Sequence, residues 1–582
     1  MNNFYTNKSL LGNQWEIKDC DERKSLMISQ RHNISLIISK IIFLRNIKED
    51  EVENFLNPNF NSNLPNPFIL KDMEKSINKL VENITNKSKI GIISDYDVDG
   101  STSAAILFNF LKSINCEVTV KIPNRINEGY GPNKRIIAEF NKEKINILIT
   151  LDCGTTAFKI FEEGDFDTII LDHHISEKKF PKVFSIINPN RYDEKNNLNH
   201  LATAGIAFLF IMALRKKLRQ NNYFNDKIKE PNLINYLDLV ALGTVCDVVN
   251  LNNYNRNFVI KGLEILKKRL HKGIKKIIDN SKINNSPSTR DLGFLIGPQL
   301  NAASRIDDPF LSVKILTSND DIEIENIANK LMLLNEKRKL IENSILEEAL
   351  KQINAQKNNK FIIIKGQNWH QGVLGIIASK LVDKFNKPTF IISFNTNTGV
   401  GSARSIENID IGNIILNAKR NKILISGGGH KMAAGFKIDI NKINDFANYL
   451  ITSLKIYEES YFQKIDYYDL KISVDEVNIN LLNEISKLEP FGNGNEEPKF
   501  IIKGLKVDSY RIIKEKHLLI FFKNNHGDSL KGICFNCIDT NLAENIINNK
   551  SANFEFGCTI TSDNFGNNLK PQLIIKDGLI IN

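Results

Sequence analysis

The sequence predicts an α/β protein with a doubly wound parallel-sheet domain, a long connecting helix, a second α/β domain and a C-terminal OB-like β-barrel. Three observations predict it. From Lys89 short apolar runs alternate with helical stretches, the pattern of parallel strands joined by crossover helices. Asp320–Gln356 keeps helical periodicity with mixed charge and contains neither Pro nor Gly. From about Tyr461 the pattern turns to short strands, which suits a small closed barrel.

The elements follow in order. Residues 24–60 read as short amphipathic helices ending at the Pro58 and Pro65 breaks. Lys89–Asp95 is an apolar strand, Ser101–Ser113 a helix and Glu117–Ile122 a strand; Ile145–Asp152 and Asp167–Asp172 are two more strands, each ending in Asp. The second α/β unit has a strand at Phe361–Lys365, a helix at Gly375–Phe385, a strand at Thr389–Phe394 and a Gly-rich turn at Gly427–His430. The barrel strands are Phe500–Val507, His517–Phe522, Leu530–Phe535, Phe554–Ile560 and Gln572–Lys576. The expected divisions are therefore 1–60, 61–318, 319–357, 358–457 and 461–582. At roughly 150 residues per domain, 582 residues suggest about three or four domains.

Composition narrows the function classes. Apolar residues are 42% and charged residues 25%, which excludes a wholly disordered chain. No segment reaches the ~20 apolar residues of a membrane helix; Ile34–Leu44 comes nearest and is broken by Ser39 and Lys40. Met1–Glu16 does not read as a secretory leader. The seven cysteines, an odd number, fit reduced thiols and a cytoplasmic protein. Cys534 and Cys537 form one C-x-x-C without a second pair, read as buried thiols on a strand rather than a zinc site. The net charge of +10 is compatible with a polyanion partner, but Asn, Ile and Lys are over-used throughout, so it is weak evidence.

In a parallel sheet the ligand sits beyond the carboxyl ends of the strands, so the strand-end acids are where chemistry is expected. Asp95-Tyr96-Asp97-Val98-Asp99-Gly100 places three acids at alternate positions. On an extended segment these would share one side and repel one another unless a divalent cation intervened. Alone the pattern is weak, since calcium-binding turns and acidic loops share it. Asp172-His173-His174 follows another strand, Asp152 ends the strand before it, and Asp247 closes the apolar run through Gly243. Several carboxylates and a His at consecutive strand ends suit Mn²⁺ or Mg²⁺, and an Asp between two groups can bridge two ions ~3.5–4 Å apart.

These motifs resemble the DHH phosphoesterase superfamily and, within it, the RecJ exonucleases. The resemblance continues through Ile122-Pro123-Asn124-Arg125, Glu128-Gly129-Tyr130-Gly131, Gly297–Arg305, and Leu334–Arg338 with Glu342. It extends through Trp369–Gly375, Gly401–Ser405, Gly428–His430 on to Gly435, and Pro490–Asn495. It implies a 5′→3′ exonuclease on single-stranded DNA that releases 5′-mononucleotides with two Mn²⁺ or Mg²⁺ ions. Asp97, Asp99, Asp152, His173 and Asp247 are the implied metal ligands, with Asp152 as the bridge. Asp95 and Asp172 are implied to orient the ligands and His173, and His174 to contact the scissile phosphate or assist the leaving oxygen. Arg125, Arg305, Ser402 and Arg404 match positions that gather the terminal 5′-phosphate, and His370 and His430 are implied to meet phosphates. Arginine forks suit that dianion better than lysine. Tyr510, Phe521, Phe522 and Phe535 are candidates for base stacking or, better for each singly, barrel core.

The implied partners are single-stranded DNA, a single-strand-binding protein and a RecQ-type helicase, with the chain a monomer away from membranes. The departures are Ser94, Ser304 and Ala403 at usual Gly positions and Cys246 at a usual Ala. The competing readings are a shorter DHH enzyme of the nanoRNase, cyclic-dinucleotide phosphodiesterase or family II pyrophosphatase type, which residues 461–582 oppose, and a non-catalytic single-strand-binding scaffold of the Cdc45 kind, which the intact ligand set opposes. An RNA substrate stays open, because no residue plainly reads a 2′-hydroxyl.

Overall fold

The computed structural model describes residues 8–60, 63–353, 359–523, 529–563 and 570–581. Strand β1 (Gln14–Ile17) and the helices Glu22–His32 and Leu36–Leu44 come first in the chain. They group, up to Asn59, with Glu458–Phe491 and with the chain from Asn495 onward, while Phe60–Tyr457 and Gly492–Gly494 form a second compact unit.

The second unit opens on a five-stranded parallel sheet. Its strands are β2 (Ile90–Ser94), β3 (Val118–Lys121), β4 (Ile147–Leu151), β5 (Asp167–Leu171) and β6 (Ser185–Ile187), in the order β3-β2-β4-β5-β6. Alternation along the strands explains the double winding. Ile92, Ile147, Ile149, Ile169 and Leu171 pack with the helices Met73–Thr85, Val98–Ser113 and Thr203–Gln220 on one face. Ile93, Leu148 and Ile170 pack with Ile136, Ile137 and Phe140 of the helix Lys134–Glu143 on the other. β2, β4 and β5 end immediately before Asp95, Asp152 and Asp172, so one register brings all three acids to one edge.

The expected helix at Ser101 begins earlier, at Val98, because the Asp97 side chain accepts from Gly100 N (2.9 Å) and caps it. This corrects the extended reading of Asp95–Asp99: the backbone turns at Asp97, and Asp99 lies in the first helical turn. The connecting helix runs Asp321–Ile353; the expected residues 354–357 lie outside the described residues, as do 1–7.

Beyond it, β7 (Ile362–Gln367), β8 (Thr389–Phe394), β9 (Thr398–Arg404), β10 (Ser426–His430) and β11 (Ala433–Asp439) form a sheet ordered β10-β11-β9-β8-β7. Gly427–His430, expected as a turn, is therefore an edge strand. Of its glycines, Gly427 serves packing: a Cβ there would lie 2.7 Å from Ile415 Cγ2, whereas one at Gly428 would meet nothing within 4 Å.

In the other unit, β12 (Ile465–Tyr468) pairs in parallel with β1, burying Trp15 against Tyr468 at a ring separation of 4.8 Å. β13 (Leu470–Ser473) flanks β14 (Phe500–Ile513), which with β15 (His517–Lys523), β16 (Ser529–Cys534), β17 (Asn553–Asp563) and β18 (Lys570–Ile581) closes a five-stranded barrel. Ile28, Ile38, Ile41 and Ile42 of the first two helices share its core with Phe500, Phe522, Phe554 and Phe556. Phe522 is thus core; Tyr510 and Phe521 are half-buried, and Phe535 is exposed beside the His517 ring. Cys534 and Cys537 are buried. Among the described residues no helix is long and apolar enough to cross a membrane.

Candidate metal centre and adjoining arginine cluster

The acids at the strand ends converge with His173, His174 and Asp247. One ligand atom from each of Asp95, Asp97 and Asp152 lies within 4.8 Å of the others, and the same holds for Asp99, His173 and Asp247, and for Asp152, His173 and His174. Asp152 and His173 each belong to two of these groups, and of the two Asp152 has the pair of oxygens that a bridging ligand uses. His173 Nε2 stands 3.4 Å from Asp152 Oδ1 and 3.5 Å from Asp247 Oδ2.

The backbone is arranged around this cluster. Asp152 adopts φ 61°, a left-handed turn straight off β4, and its Oδ1 accepts from Thr203 Oγ1 (2.9 Å). Both oxygens of Asp99 accept from the N-terminus of the helix Thr203–Gln220, Oδ2 from Thr203 N (2.7 Å) and Oδ1 from Ala204 N (2.8 Å). That end carries positive dipole, so it steadies a carboxylate there. Asn190 Nδ2 donates to His173 O (2.6 Å), and Asn188 Nδ2 to His174 O (2.8 Å). Asp172 Oδ1 accepts from the His174 ring at Nδ1 (2.8 Å) and from the backbone N of His173 and His174. The ring Asp172 orients is therefore that of His174, not that of His173.

Burial of so many carboxylates sets the electrostatics. Burial and the charge of Asp97 push Asp99 up to about 7, and burial together with Asp99 and Asp97 pushes Asp247 up to about 9. Burial, then Asp99, Asp97 and Asp95, raises Asp152 well above the carboxylate range, and burial with Asp97 does the same to Asp95. Asp172 is the exception: burial opposes its charge, but the bonds from His174 and Thr155 prevail and hold it at about 2. Partial desolvation opposes the charge of His174, but Asp172 raises it to about 9, whereas burial and the neighbouring His174 lower His173 to about 4. At neutral pH His174 is a cation on an anionic partner, and His173 is a neutral imidazole fit to ligate. Among the described residues, Asp95 Oδ1 and Asp247 Oδ2 are buried without a hydrogen-bond partner. Orphaned oxygens among mutually repelling carboxylates are a donor set that fits divalent cations of the Mn²⁺ and Mg²⁺ kind.

A measurable consequence follows for the metal-free protein. A carboxyl whose pKa is raised on folding gives stability below its unfolded value, near 4, and loses it as pH climbs through the folded value. For Asp99 and Asp247 that loss falls between pH ~5 and 9. The melting temperature of metal-free protein is expected to fall from pH 7 to 9, and the gain on adding Mg²⁺ to grow over the same interval. A metal-free melting temperature that rises over this interval, with a pH-independent Mg²⁺ gain, would contradict the repulsion.

The second feature is a cluster of guanidinium groups. Arg125 lies over the ring of Tyr96, 4.9 Å from its centroid, and Tyr96 separates Asp95 from Asp97. Arg305 Nη1 donates to Gly372 O (3.0 Å), and Arg404 Nη1 to Ala403 O (2.9 Å) and Ser402 Oγ (3.5 Å). Among the described residues none of these three arginines is paired with a carboxylate. Burial and then Arg125, Arg338 and Arg404 lower Arg305 to about 10; burial and Arg125 lower Arg404. Arg338, absent from the expected set, is neutralised by Glu342 (2.8 Å). Ser402 and Arg404 share one face of β9, facing the N-terminal part of the helix Gln371–Phe385, where a Cβ at Gly375 in the second turn would lie 2.9 Å from Arg404 Nη2. Cations crowded at a helix N-terminus suit an anion.

His370 caps that helix, its Nδ1 accepting from Gly372 N (3.2 Å). His430 sits exposed at the end of β10, and among the described residues no contact ties its side chain to either cluster. Ser304 and Ala403 directly precede Arg305 and Arg404, and Ser304 Oγ donates to Asn301 O (3.1 Å).

Two residues escaped the sequence. Thr203 holds Asp99 and Asp152 and announces itself only as the start of an apolar helix. The Tyr130 hydroxyl donates to Asp152 O (2.8 Å) and contacts His174 Nδ1 (3.1 Å). Its signal was its place between Gly129 and Gly131, both at positive φ.

Residues 89–244 match the DHH family, N-terminal domain, 358–455 the DHHA1 domain and 468–577 the RecJ OB domain. The chain is 32% identical to the single-stranded-DNA-specific exonuclease RecJ of Haemophilus influenzae, over 82% of this chain and 86% of that one. The crystal structure of RecJ in complex with Mn²⁺ from Thermus thermophilus shares the fold, with a TM-score of 0.81 at 23% identity, over 97% of this chain and 79% of that one. An exonuclease RecJ structure bound to manganese matches with a TM-score of 0.58 at 28% identity, over 68% of this chain and 96% of that one. Three domains in this order, with a relative matched along most of both chains, place this chain in the RecJ family.

Proposed function

We propose that this protein is a single-stranded-DNA-specific 5′→3′ exonuclease that releases 5′-mononucleotides, using two Mn²⁺ or Mg²⁺ ions. The observation that carries the reading is Arg125 stacked on Tyr96 between Asp95 and Asp97. It sets an anion pocket one residue from the acid cluster, and a pocket for a terminal phosphate beside a hydrolytic centre selects the end of a strand over its interior.

Asp97, Asp99, Asp152, His173 and Asp247 would hold the ions, with Asp152 between them. Ions bound there would supply Lewis-acid chemistry, lowering the pKa of a water and offsetting charge on the phosphoryl oxygens. The chain's own residues do the rest. Arg125, Arg305, Ser402 and Arg404 grip the 5′-phosphate and fix the strand's register. His174, held protonated by Asp172, would contact the scissile phosphate or assist the leaving oxygen by giving it a proton. Asp95, whose carboxylate lies within 4.8 Å of those of Asp97 and Asp152, would orient the ligands. His370, whose Nδ1 caps the helix Gln371–Phe385, and His430 would meet phosphates of the strand.

Repair and recombination are the setting proposed, in the cytoplasm, with the chain acting as a monomer alongside a single-strand-binding protein and a RecQ-type helicase. The divisions at 1–60, 61–318, 319–357, 358–457 and 461–582 are kept as functional modules, the last binding the incoming strand.

The test compares 5′-labelled and 3′-labelled single-stranded DNA with Mn²⁺, alongside duplex and RNA. Immediate release of labelled mononucleotide from the 5′ end only, with duplex spared, is expected. Retained binding without cleavage would favour the scaffold reading, and degradation limited to dinucleotides or short RNA the nanoRNase reading.

A further inference from the structure

The segment Gly492-Asn493-Gly494 has no part in the assignment above, yet it groups with residues 60–457. What it touches is the loop that follows Asp247. Asn493 Nδ2 donates to Val248 O (2.7 Å), and Leu251 N donates to Asn493 O (2.7 Å). A Cβ at Gly492 would lie 2.6 Å from Leu251 Cδ1, and one at Gly494 3.1 Å from Asn250. The same loop is tied on its other side by Asn255 Nδ2, which donates to Asn250 O (3.0 Å) and His200 O (2.6 Å).

These bonds surround a strained residue. Val248 adopts φ 59°, a left-handed conformation that β-branched side chains rarely take, and its side chain is 62% exposed, so packing does not hold it there. The preceding residue is Asp247, whose Oδ2 is buried with no hydrogen-bond partner among the described residues. No side chain there orients that carboxylate by a hydrogen bond to Oδ2, so its aim depends on the backbone that Val248 terminates.

We propose that Asn493 is a positioning residue for the metal centre: by holding Val248 O it fixes the turn that aims Asp247 at the cation. The inference rests on Asp247 being a metal ligand. It explains why a strained valine persists beside the site, and why a polar side chain on a glycine-flanked turn reaches a backbone carbonyl there. Asn493 is itself exposed, so replacing it leaves the core untouched.

The experiment titrates Mn²⁺ into the full-length protein and reads free ion by electron paramagnetic resonance. Asn493→Ala is expected to weaken one of the bound ions about tenfold, the scale seen when a group supporting a metal ligand is lost. The Mn²⁺ requirement for cleavage should rise to match, with kcat at saturating Mn²⁺ within about twofold of wild type. Asn493→Asp, equal in shape but without the N–H, should do the same. Val248→Asn, which tolerates the left-handed conformation unaided, should restore affinity in the Asn493→Ala background. Wild-type affinity in Asn493→Ala or Asn493→Asp overturns the proposal, and so does weakened affinity that Val248→Asn fails to restore. Absence of Mn²⁺ binding by the wild type would instead overturn the metal-centre reading beneath it.

Discussion

Asp152→Asn is expected to abolish cleavage while raising the stability of the metal-free protein. Asn matches Asp in shape and is among the few residues at ease at φ 61°, so the turn off β4 survives. Its side-chain oxygen can still accept from Thr203 Oγ1. What disappears is a buried carboxyl that burial, then Asp99, Asp97, Asp95 and Asp247, keep protonated far above its unfolded range, which costs folding stability at alkaline pH. Losing it should raise the metal-free melting temperature at pH 8 by roughly 2–4 °C. The same loss removes the carboxylate placed to bridge two ions, so the cleavage rate should fall at least ~10³-fold. Asp97→Ala and His173→Ala should also be inactive, and all three should still bind single-stranded DNA, because none lies in the barrel. Calorimetry with and without Mg²⁺, set beside a nuclease assay, separates the effects. Full activity in Asp152→Asn would end the bridging role. A lower metal-free melting temperature would mean that the acid cluster is not under the repulsion described.

The sheet was legible because its strands are short apolar runs that each stop at an acid: Asp95, Asp152 and Asp172 mark the edge of β2, β4 and β5. The acids' arrangement was less so. Alternation along an extended segment put Asp95, Asp97 and Asp99 on one side, but the Asp97 cap bends the chain, and Asp99 comes to face the N-terminus of a helix a hundred residues away. No local pattern encodes that meeting, since Thr203 supplies a backbone N–H that any residue would carry. Gly427–His430 misled for a related reason. Glycine signals a turn when its conformational freedom is used, but here Gly427 makes room for Ile415 beneath a strand. The isoleucines of the first two helices read correctly as apolar faces, while the barrel that covers them lies more than 400 residues further on. Periodicity says that a face is buried, not by what.

Arg404→Ala is expected to erase most of the preference for 5′-phosphorylated ends. Among the described residues Arg125, Arg305 and Arg404 gather without an ion-paired carboxylate, and burial, then crowding, lowers Arg305 to about 10 and lowers Arg404 too. Such a cluster is strained until an anion arrives, so a terminal phosphate gains from relieved repulsion as well as from its own hydrogen bonds. One charge-assisted bond is worth about 1.5–3 kcal/mol, or ~10–150-fold in preference. Cleavage of 5′-phosphorylated strands by Arg404→Ala should fall by that factor relative to wild type, while cleavage of 5′-hydroxyl strands stays within about twofold. Arg404→Lys keeps the charge without the planar fork, and should fall between the two. The position beside Gly375 sharpens the test, because Gly375→Ala would press a methyl group against Arg404 and displace the guanidinium without removing it. If the pocket depends on placement as well as charge, Gly375→Ala should mimic Arg404→Ala on phosphorylated ends. If both variants keep the wild-type preference, the terminal phosphate is held elsewhere, and the arginines serve the backbone of the strand rather than its end.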